Sequence, residues 1–391
     1  MWSARRLQVD HAPTHRWQVL RKNENAGPSG AAQSGDGGLH KGIEGARGWL
    51  AIIVVAAHLI LITPLVYFPS LWLVLDMARW AVEIFIIISG FVITHILVEK
   101  QEPYALYIGR RGLRIYPAYL VALVLGVAAA GLPAMLIDSF PRQPPHEMHH
   151  YFLQALAIER PAHQLLLDLA LLQGTMTSTQ FGYVPAAWSL SLEWQYYLVA
   201  PLFVLAVRAR PVAASLAVAA ALAAYHIGLF GDFARPSILF GAGWLFLIGT
   251  LSRLYFDTLP RFCAFPALIP FALGPILFIA RDLVPVLAWI GLLAYMRRGA
   301  DWRLLDGRLA RYLGSRSYAI YILHFAIITA VAWLAWRVLS LPTKEAVLVT
   351  WVGGGAAVLA VAEIVCRWVE QPAINLGKRL AREPSPGLQG W

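Results

Sequence analysis

The sequence predicts an all-α polytopic membrane protein of about ten transmembrane helices with the N- and C-termini cytoplasmic, and three observations carry that expectation. Of the 391 residues 59% are hydrophobic and 14% charged, against about 45–50% and about 25% in soluble globular chains, so the chain has more apolar surface than one soluble core covers. The apolar residues fall into runs near the length of about 20 that a helix needs to cross the hydrocarbon. The 32 Lys and Arg residues are spread unevenly over the segments between those runs, as they are on the two sides of a membrane.

Residues 1–42 mix Arg, Asn, Gly, Ser, Gln and His without apolar periodicity, and 25–38 is rich in Gly, Ala and Ser. This stretch reads as a mobile cytoplasmic tail. The first apolar run starts near Trp49, too late and with no cleavage site for a secretory signal, so it reads as a retained span. Ten runs follow, at 48–67, 80–98, 115–137, 188–207, 211–229, 236–254, 263–280, 283–296, 317–336 and 346–365; the eighth is short and carries Pro285. An eleventh stretch, 151–172, is interrupted by Glu159, Arg160, His163 and Asp168 and reads as an interfacial or re-entrant piece. A transmembrane domain over 43–375 and a cytoplasmic tail over 376–391 complete the organisation.

With the N-terminus inside, the inner segments hold 25 of the 32 basic residues and the outer segments 7. The net charge of +10 is then a consequence of topology and calls for no nucleic acid. The two cysteines, Cys263 and Cys366, lack paired spacing, which excludes a disulfide framework and a cysteine-rich metal site. Both fall at cytoplasmic helix ends, where thiols stay reduced.

Ionisable side chains inside a span cost about 2.5–3.5 kcal/mol on insertion scales and therefore face a cavity or a partner. Arg47 and His58 are eleven residues apart, which returns them to one helical face within about 20° and separates them by about 16 Å. Arg47 then sits at the cytoplasmic surface and His58 near mid-membrane. A snorkelling Arg and a His bonded to a neighbouring helix account for the same residues. In the second run Glu83 either orients or charge-balances a histidine or is an interfacial carboxylate one turn from Arg79 and Trp80. Its Ser89-Gly90 pair forms a notch that lets another backbone approach closely. Arg111 and Arg114 share a helical face and suit the phosphate oxygens of a cytoplasmic donor, or else they are plain positive-inside charge. Ser189 and Glu193 are one turn apart, near the spacing of a helix cap and its partner, and Tyr196 and Tyr197 suit an interface belt. Ser317 and His324 repeat the face-sharing pattern over seven residues and about 10 Å. His95, His226 and Glu363 read as packing or helix-end groups.

These pieces resemble the acyltransferase-3 family of integral membrane acyltransferases. The matching residues are Arg47 with ten residues before His58, the stretch 83–91, Arg110-Arg111-x-x-Arg114-Ile-Tyr-Pro, Trp188-Ser189-Leu190-Ser191-Leu192-Glu193, the stretch 317–324, and Val369-Glu370-Gln371-Pro372. They run in family order from about 43 to 375. Two departures stand out: Glu44-Gly45-Ala46-Arg47 replaces the commoner Asp-Gly-Leu-Arg, and Trp194 stands where a second acidic residue is common, leaving Glu193 as the carboxylate of that motif. The resemblance implies ten core helices in a bacterial plasma (inner) membrane. It also implies an acyl-CoA donor, usually acetyl-CoA, arriving from the cytoplasm, and O-acylation of a cell-surface or lipid-linked carbohydrate or another hydroxyl acceptor.

On that reading His58 is the general base that takes the hydroxyl proton, or carries the acyl group for one step. Arg47, Arg111 and Arg114 bind the donor's phosphates or the carbonyl side of its thioester. Glu83 and Glu193 orient His58 or the acceptor, and Ser317, His324, Ser89 and Tyr196 are substrate-binding or second-choice catalytic groups. No metal is expected, because His146, His149, His150 and His163 lack a carboxylate set with ligand spacing; the polar 138–187 segment instead suits a glycan. Two alternatives stay open: a small-molecule acceptor such as a macrolide, and a transporter or flippase of a lipid-linked sugar. Mid-membrane His and Glu also build proton relays, although the chain shows no inverted repeat of the kind transporters carry.

Overall fold

The computed structural model describes residues 32–100, 102–137, 163–258, 283–298 and 302–381. These form helices and turns with no strand among the described residues. Hydrocarbon offers no water to backbone N–H and C=O groups, so a spanning segment satisfies them within itself. The principal helices are α1 (Ala32–Leu61), α2 (Trp72–Lys100), α3 (Tyr104–Ala128), α4 (Trp188–Ala209), α5 (Pro211–His226), α6 (Leu239–Leu254), α7 (Val284–Arg298), α8 (Arg308–Trp333) and α9 (Thr343–Leu380). The last is interrupted by π-helical turns at Val349–Gly353 and Cys366–Glu370.

Among the described residues, six stretches are long and apolar enough to cross a membrane: Gly42–Leu61, Pro69–Lys100, Tyr104–Ala128, Pro185–Ala209, Arg308–Val338 and Thr343–Leu380. Helices α5 and α6 are apolar but have 16 residues each, about 24 Å of helix. Each expected run other than 263–280, which lies outside the described residues, falls on one of these helices. The boundaries differ where charge misleads. Helix α3 starts at Tyr104, so Arg110, Arg111 and Arg114 lie within it, and it ends at Ala128, before a short helix at Leu132–Ile137. Helix α8 starts at Arg308 rather than 317. Arg114 of α3 and Arg316 of α8 find carboxylate partners on α9, Glu370 and Glu363, which a count of apolar residues does not register. Helix α1 begins at Ala32, inside the stretch read as a tail, and α9 runs to Leu380.

Two helix pairs pack backbone to backbone. At the α1–α8 crossing, a Cβ added to Gly48 would lie 2.6 Å from the Gly314 nitrogen. At the α2–α6 crossing, a Cβ on Gly90 would lie 2.5 Å from the Phe246 carbonyl oxygen, and one on Gly249 would strike the Ile87 carbonyl. The Ser89-Gly90 notch thus receives α6, as small residues do where helices meet in lipid. Along the first crossing Gly48 meets Gly314, and ten residues further on both helices His58 meets His324. Helices α1 and α8 therefore run parallel and keep register over about three turns.

Between α3 and α4 the chain folds into a polar plug. Of the expected interfacial piece 151–172, residues 151–162 and with them Glu159 and Arg160 lie outside the described residues, as do His146, His149 and His150. The remainder forms a short helix at Gln164–Leu169 behind an exposed His163. Asp168 is buried; its carboxylate accepts from Gln164 Nε2 at 3.0 Å and from the Tyr183 backbone N–H at 2.9 Å, and its carbonyl accepts from Tyr119 at 2.8 Å. Gln173 Nε2 donates to the Ala187 carbonyl at 3.2 Å, fastening the plug to the start of α4.

The α2–α6 crossing predicts an asymmetry. Gly249→Val forces two backbones apart and is expected to cost about 1–3 kcal/mol, read as a lower melting temperature in detergent. Gly243→Ala, which has open space around its Cβ, is expected to be neutral or to stabilise by about 0.5–1 kcal/mol.

Candidate active site

Helices α1, α2, α4 and α8 enclose a cavity that is polar on three sides. From α2 it takes Val82, Phe85, Ile86 and Ser89, one face at helical spacing. Glu83 is rotated about 110° from the middle of that face and stands 3.7 Å from Arg79, one turn back. From α4 come Ser189 and Glu193, from α8 Ser317, Tyr318 and Tyr321, and from α1 Arg47.

Glu193 joins two helices. Its Oε1 accepts from Ser89 at 2.6 Å and from Tyr197 at 2.6 Å. Ser189 does not cap α4: the residue before the helix is Ala187, and no side chain caps it. The Ser189 hydroxyl instead lies 2.8 Å from the Tyr321 hydroxyl and 3.3 Å from the Ala186 carbonyl oxygen. Tyr196 points elsewhere, stacked on Phe246 with centroids 4.0 Å apart and its hydroxyl 3.3 Å from that of Thr250. It seals α4 to α6, while its neighbour Tyr197 reaches the site.

Three arginines gather here against two carboxylates. Arg114 is ion-paired with Glu370, 256 residues away on α9, and its guanidinium lies 5.6 Å from the Tyr318 ring. Arg111 lies 6.0 Å from the Tyr197 ring and Arg47 6.0 Å from the Phe85 ring. Arg110, the remaining basic residue of the motif, turns to Glu102. Arg47 interacts electrostatically with Arg114, Glu193 and Glu370. Against Glu193 and Glu370 the three guanidinium groups leave one positive charge in surplus. Among the described residues, Nε of Arg47, Nε of Arg111 and the Ser317 hydroxyl are buried with no hydrogen-bond partner. Buried cations with unmet donors are costly unless an anion matches them, so the donor set suits phosphate or carboxylate oxygens.

The two histidines form a pair. The rings of His58 and His324 meet edge to face with centroids 4.8 Å apart and 62° between planes. His58 Nδ1 lies 2.8 Å from the Val54 carbonyl, and His324 Nδ1 lies 2.6 Å from the Tyr321 carbonyl. A carbonyl only accepts, so both Nδ1 atoms carry protons, and in the neutral ring that tautomer leaves the lone pair at Nε2. His58 is thus oriented by its own helix rather than by Glu83. The Nε2 of His324 is buried and has no hydrogen-bond partner among the described residues. Neither histidine lines the cavity; Tyr321, 6.0 Å from His324, stands between.

The structure therefore brings together Arg47, Ser89, Glu193 and Ser317 on the cavity wall, Arg111 and Arg114 behind it against Tyr197 and Tyr318, and His58 with His324 beside it. It sets Glu83 and Tyr196 apart. Tyr197, Tyr321, Phe85 and Glu370 join the site without having been singled out as site residues. Glu370 carried the one available signal, a carboxylate in the Val369-Glu370-Gln371-Pro372 piece. Elsewhere His95 accepts from Arg253 Nε at 2.9 Å, and Glu363 pairs with Arg316 and Arg367.

Removing one member of the Arg114–Glu370 pair leaves the other unmatched. Glu370→Met alone is expected to cost about 3–5 kcal/mol, toward the lower figure because the Arg114 side chain is 28% exposed. The double variant Arg114→Met/Glu370→Met is expected to be less destabilised than the sum of the singles, with thermal unfolding of the four proteins as the measure.

The acyltransferase domain model matches residues 40–367, from the first helix into the last and including every cavity-lining residue. No curated protein and no solved structure matches the chain. With helices that fit a bilayer and a family match over most of its length, the chain is an integral membrane protein and belongs to the acyltransferase-3 family.

Proposed function

We propose that this protein is a membrane-embedded O-acyltransferase that moves an acyl group, acetyl in the preferred case, from cytoplasmic acyl-CoA to a hydroxyl of a cell-surface or lipid-linked glycan at a bacterial inner membrane. The observation that carries the reading is the His58–His324 pair, each ring bonded at Nδ1 to a backbone carbonyl, beside a cavity with one surplus buried positive charge. A hydroxyl is a weak nucleophile at neutral pH and gains from a positioned base, typically about 10²–10⁴-fold. In this reading His58 Nε2 takes the hydroxyl proton as the oxygen attacks the thioester carbonyl, and the departing sulfur receives that proton. Arg47, Arg111 and Arg114 hold the donor's phosphates, with Arg114 shared between Glu370 and the donor. Glu193 fixes the positions of the Ser89 and Tyr197 hydroxyl groups.

The reading also carries ten membrane crossings with both termini cytoplasmic. Parallel helices must be separated by an odd number of crossings, and the ten-crossing count places seven between α1 and α8. The 25-to-7 division of basic residues supports the same orientation.

The test uses purified protein in detergent with radiolabelled acetyl-CoA and extracted membrane glycans. His58→Ala is expected to lower transfer about 10²–10⁴-fold while donor binding persists. Arg47→Ala is expected to weaken donor binding about ten- to a hundredfold, as the loss of a charged hydrogen bond does. Absence of both binding and turnover with any acyl-CoA, in protein shown to be folded, overturns the reading.

A further inference from the structure

The cavity and the histidine pair lie on opposite sides of one tyrosine. Tyr321 lines the cavity, and one turn further along α8 His324 packs against His58. The Tyr321 ring is 5.8 Å from Phe85 of α2. Its hydroxyl donates to the Ala186 carbonyl at 3.1 Å and lies 2.8 Å from the Ser189 hydroxyl. With the Tyr321 proton given to Ala186, Ser189 is the donor in the second bond. Ala186 sits where the plug joins α4, beside Ala187, whose carbonyl is held by Gln173. The hydroxyl is thus fastened to the start of α4 and the ring lies against α2, while its attachment to α8 leaves it able to turn about its own side-chain bonds. His58 is partly exposed yet contributes nothing to the cavity wall, so its exposed surface opens elsewhere.

We propose that Tyr321 is a gate between the donor cavity and the His58–His324 pair, latched by Ser189 and the Ala186 carbonyl. This deepens the acyltransferase reading and rests on it: the acyl end of a donor held at Arg47 meets His58 only when the latch opens. A closed ring keeps water that reaches one compartment from meeting the thioester in the other, the role that closing elements play in transfer enzymes. Tyr321 is a positioning residue here, since it controls what meets His58 and transfers nothing itself.

Bromoacetyl-CoA tests the gate, because an imidazole nitrogen reached by its acyl end displaces bromide and stays alkylated. The full-length protein in detergent is treated with the reagent over a range of concentrations, with and without free CoA as competitor, and alkylation of His58 is followed by mass spectrometry. In the wild type, slow labelling that CoA prevents is expected. Tyr321→Phe keeps the ring and loses the latch; Ser189→Ala removes the latch from the other side. Each is expected to label His58 about fivefold faster, the shift that loss of one net hydrogen bond produces, with the half-saturating concentration unchanged within about twofold. A merely structural role lowers the melting temperature without that separation of rate from saturation. If CoA-protected labelling occurs and both variants match the wild-type rate, the gate is wrong and the donor site stands. If no protein shows saturable, CoA-protected labelling, the donor site itself is wrong and the gate falls with it.

Discussion

The contact on which the rest of this structure depends is the backbone-to-backbone crossing of α1 and α8. Gly48 against Gly314 removes the side chains that would hold the two helices apart. In lipid, where apolar side chains gain little by leaving hydrocarbon for one another, such close approach is a main source of helix association. Because the helices run parallel and in register, one crossing sets two levels of chemistry. Arg47 and Ser317 share the cavity level, and His58 and His324 share the level about three turns from the Gly48–Gly314 contact. A slip of one residue would rotate each of these side chains by about 100° and dissolve both levels together.

Electrostatics then defines what the cavity level accepts. Glu193 and Glu370 offset two of three guanidinium charges and tie α2 to α4 and α3 to α9. Arg47 and Arg111 keep buried Nε donors, and Glu370 a buried Oε2, without hydrogen-bond partners among the described residues. A site with surplus positive charge and unmet donors favours an anion over a neutral ligand. The histidine level is of another kind: two imidazole rings whose Nδ1 atoms are held by backbone carbonyls. The cavity's unmet donors and the histidine pair are thereby placed at different depths, with a hydrogen-bonded tyrosine between.

The buried plug between α3 and α4 connects these levels to the rest of the chain. A buried carboxylate is costly in an apolar setting, and Asp168 meets that cost by accepting from two elements of the plug. Through Gln173 and Ala187 it fixes the start of α4, and hence Ala186 and Ser189. A helix begun by a side-chain cap at Ser189 would leave that hydroxyl occupied; beginning at Trp188 leaves it to reach α8.

Hydrophobic runs, the division of basic residues and the order of short motifs were enough to identify an all-helical membrane chain, its family, and most of the polar residues that gather in one place. That succeeds because intramembrane charge is rare and expensive, so Arg47, His58, Arg114, Glu193 and His324 stand out against their surroundings. The seven- and eleven-residue spacings also place groups on one face of a helix, since helical phase is local. What a helix faces is not local. Glu83 reads as well as Glu193 for a site carboxylate, yet one is turned to Arg79 and the other to Ser89 and Tyr197. Tyr196 and Tyr197 differ by one position, and only the packing of α4 against α6 decides which enters the site. Glu370 gains its partner across 256 residues, and Tyr321 its place between two compartments, through contacts among helices far apart in the chain. Local periodicity determines which residues share a helix face, and only tertiary packing determines which faces meet.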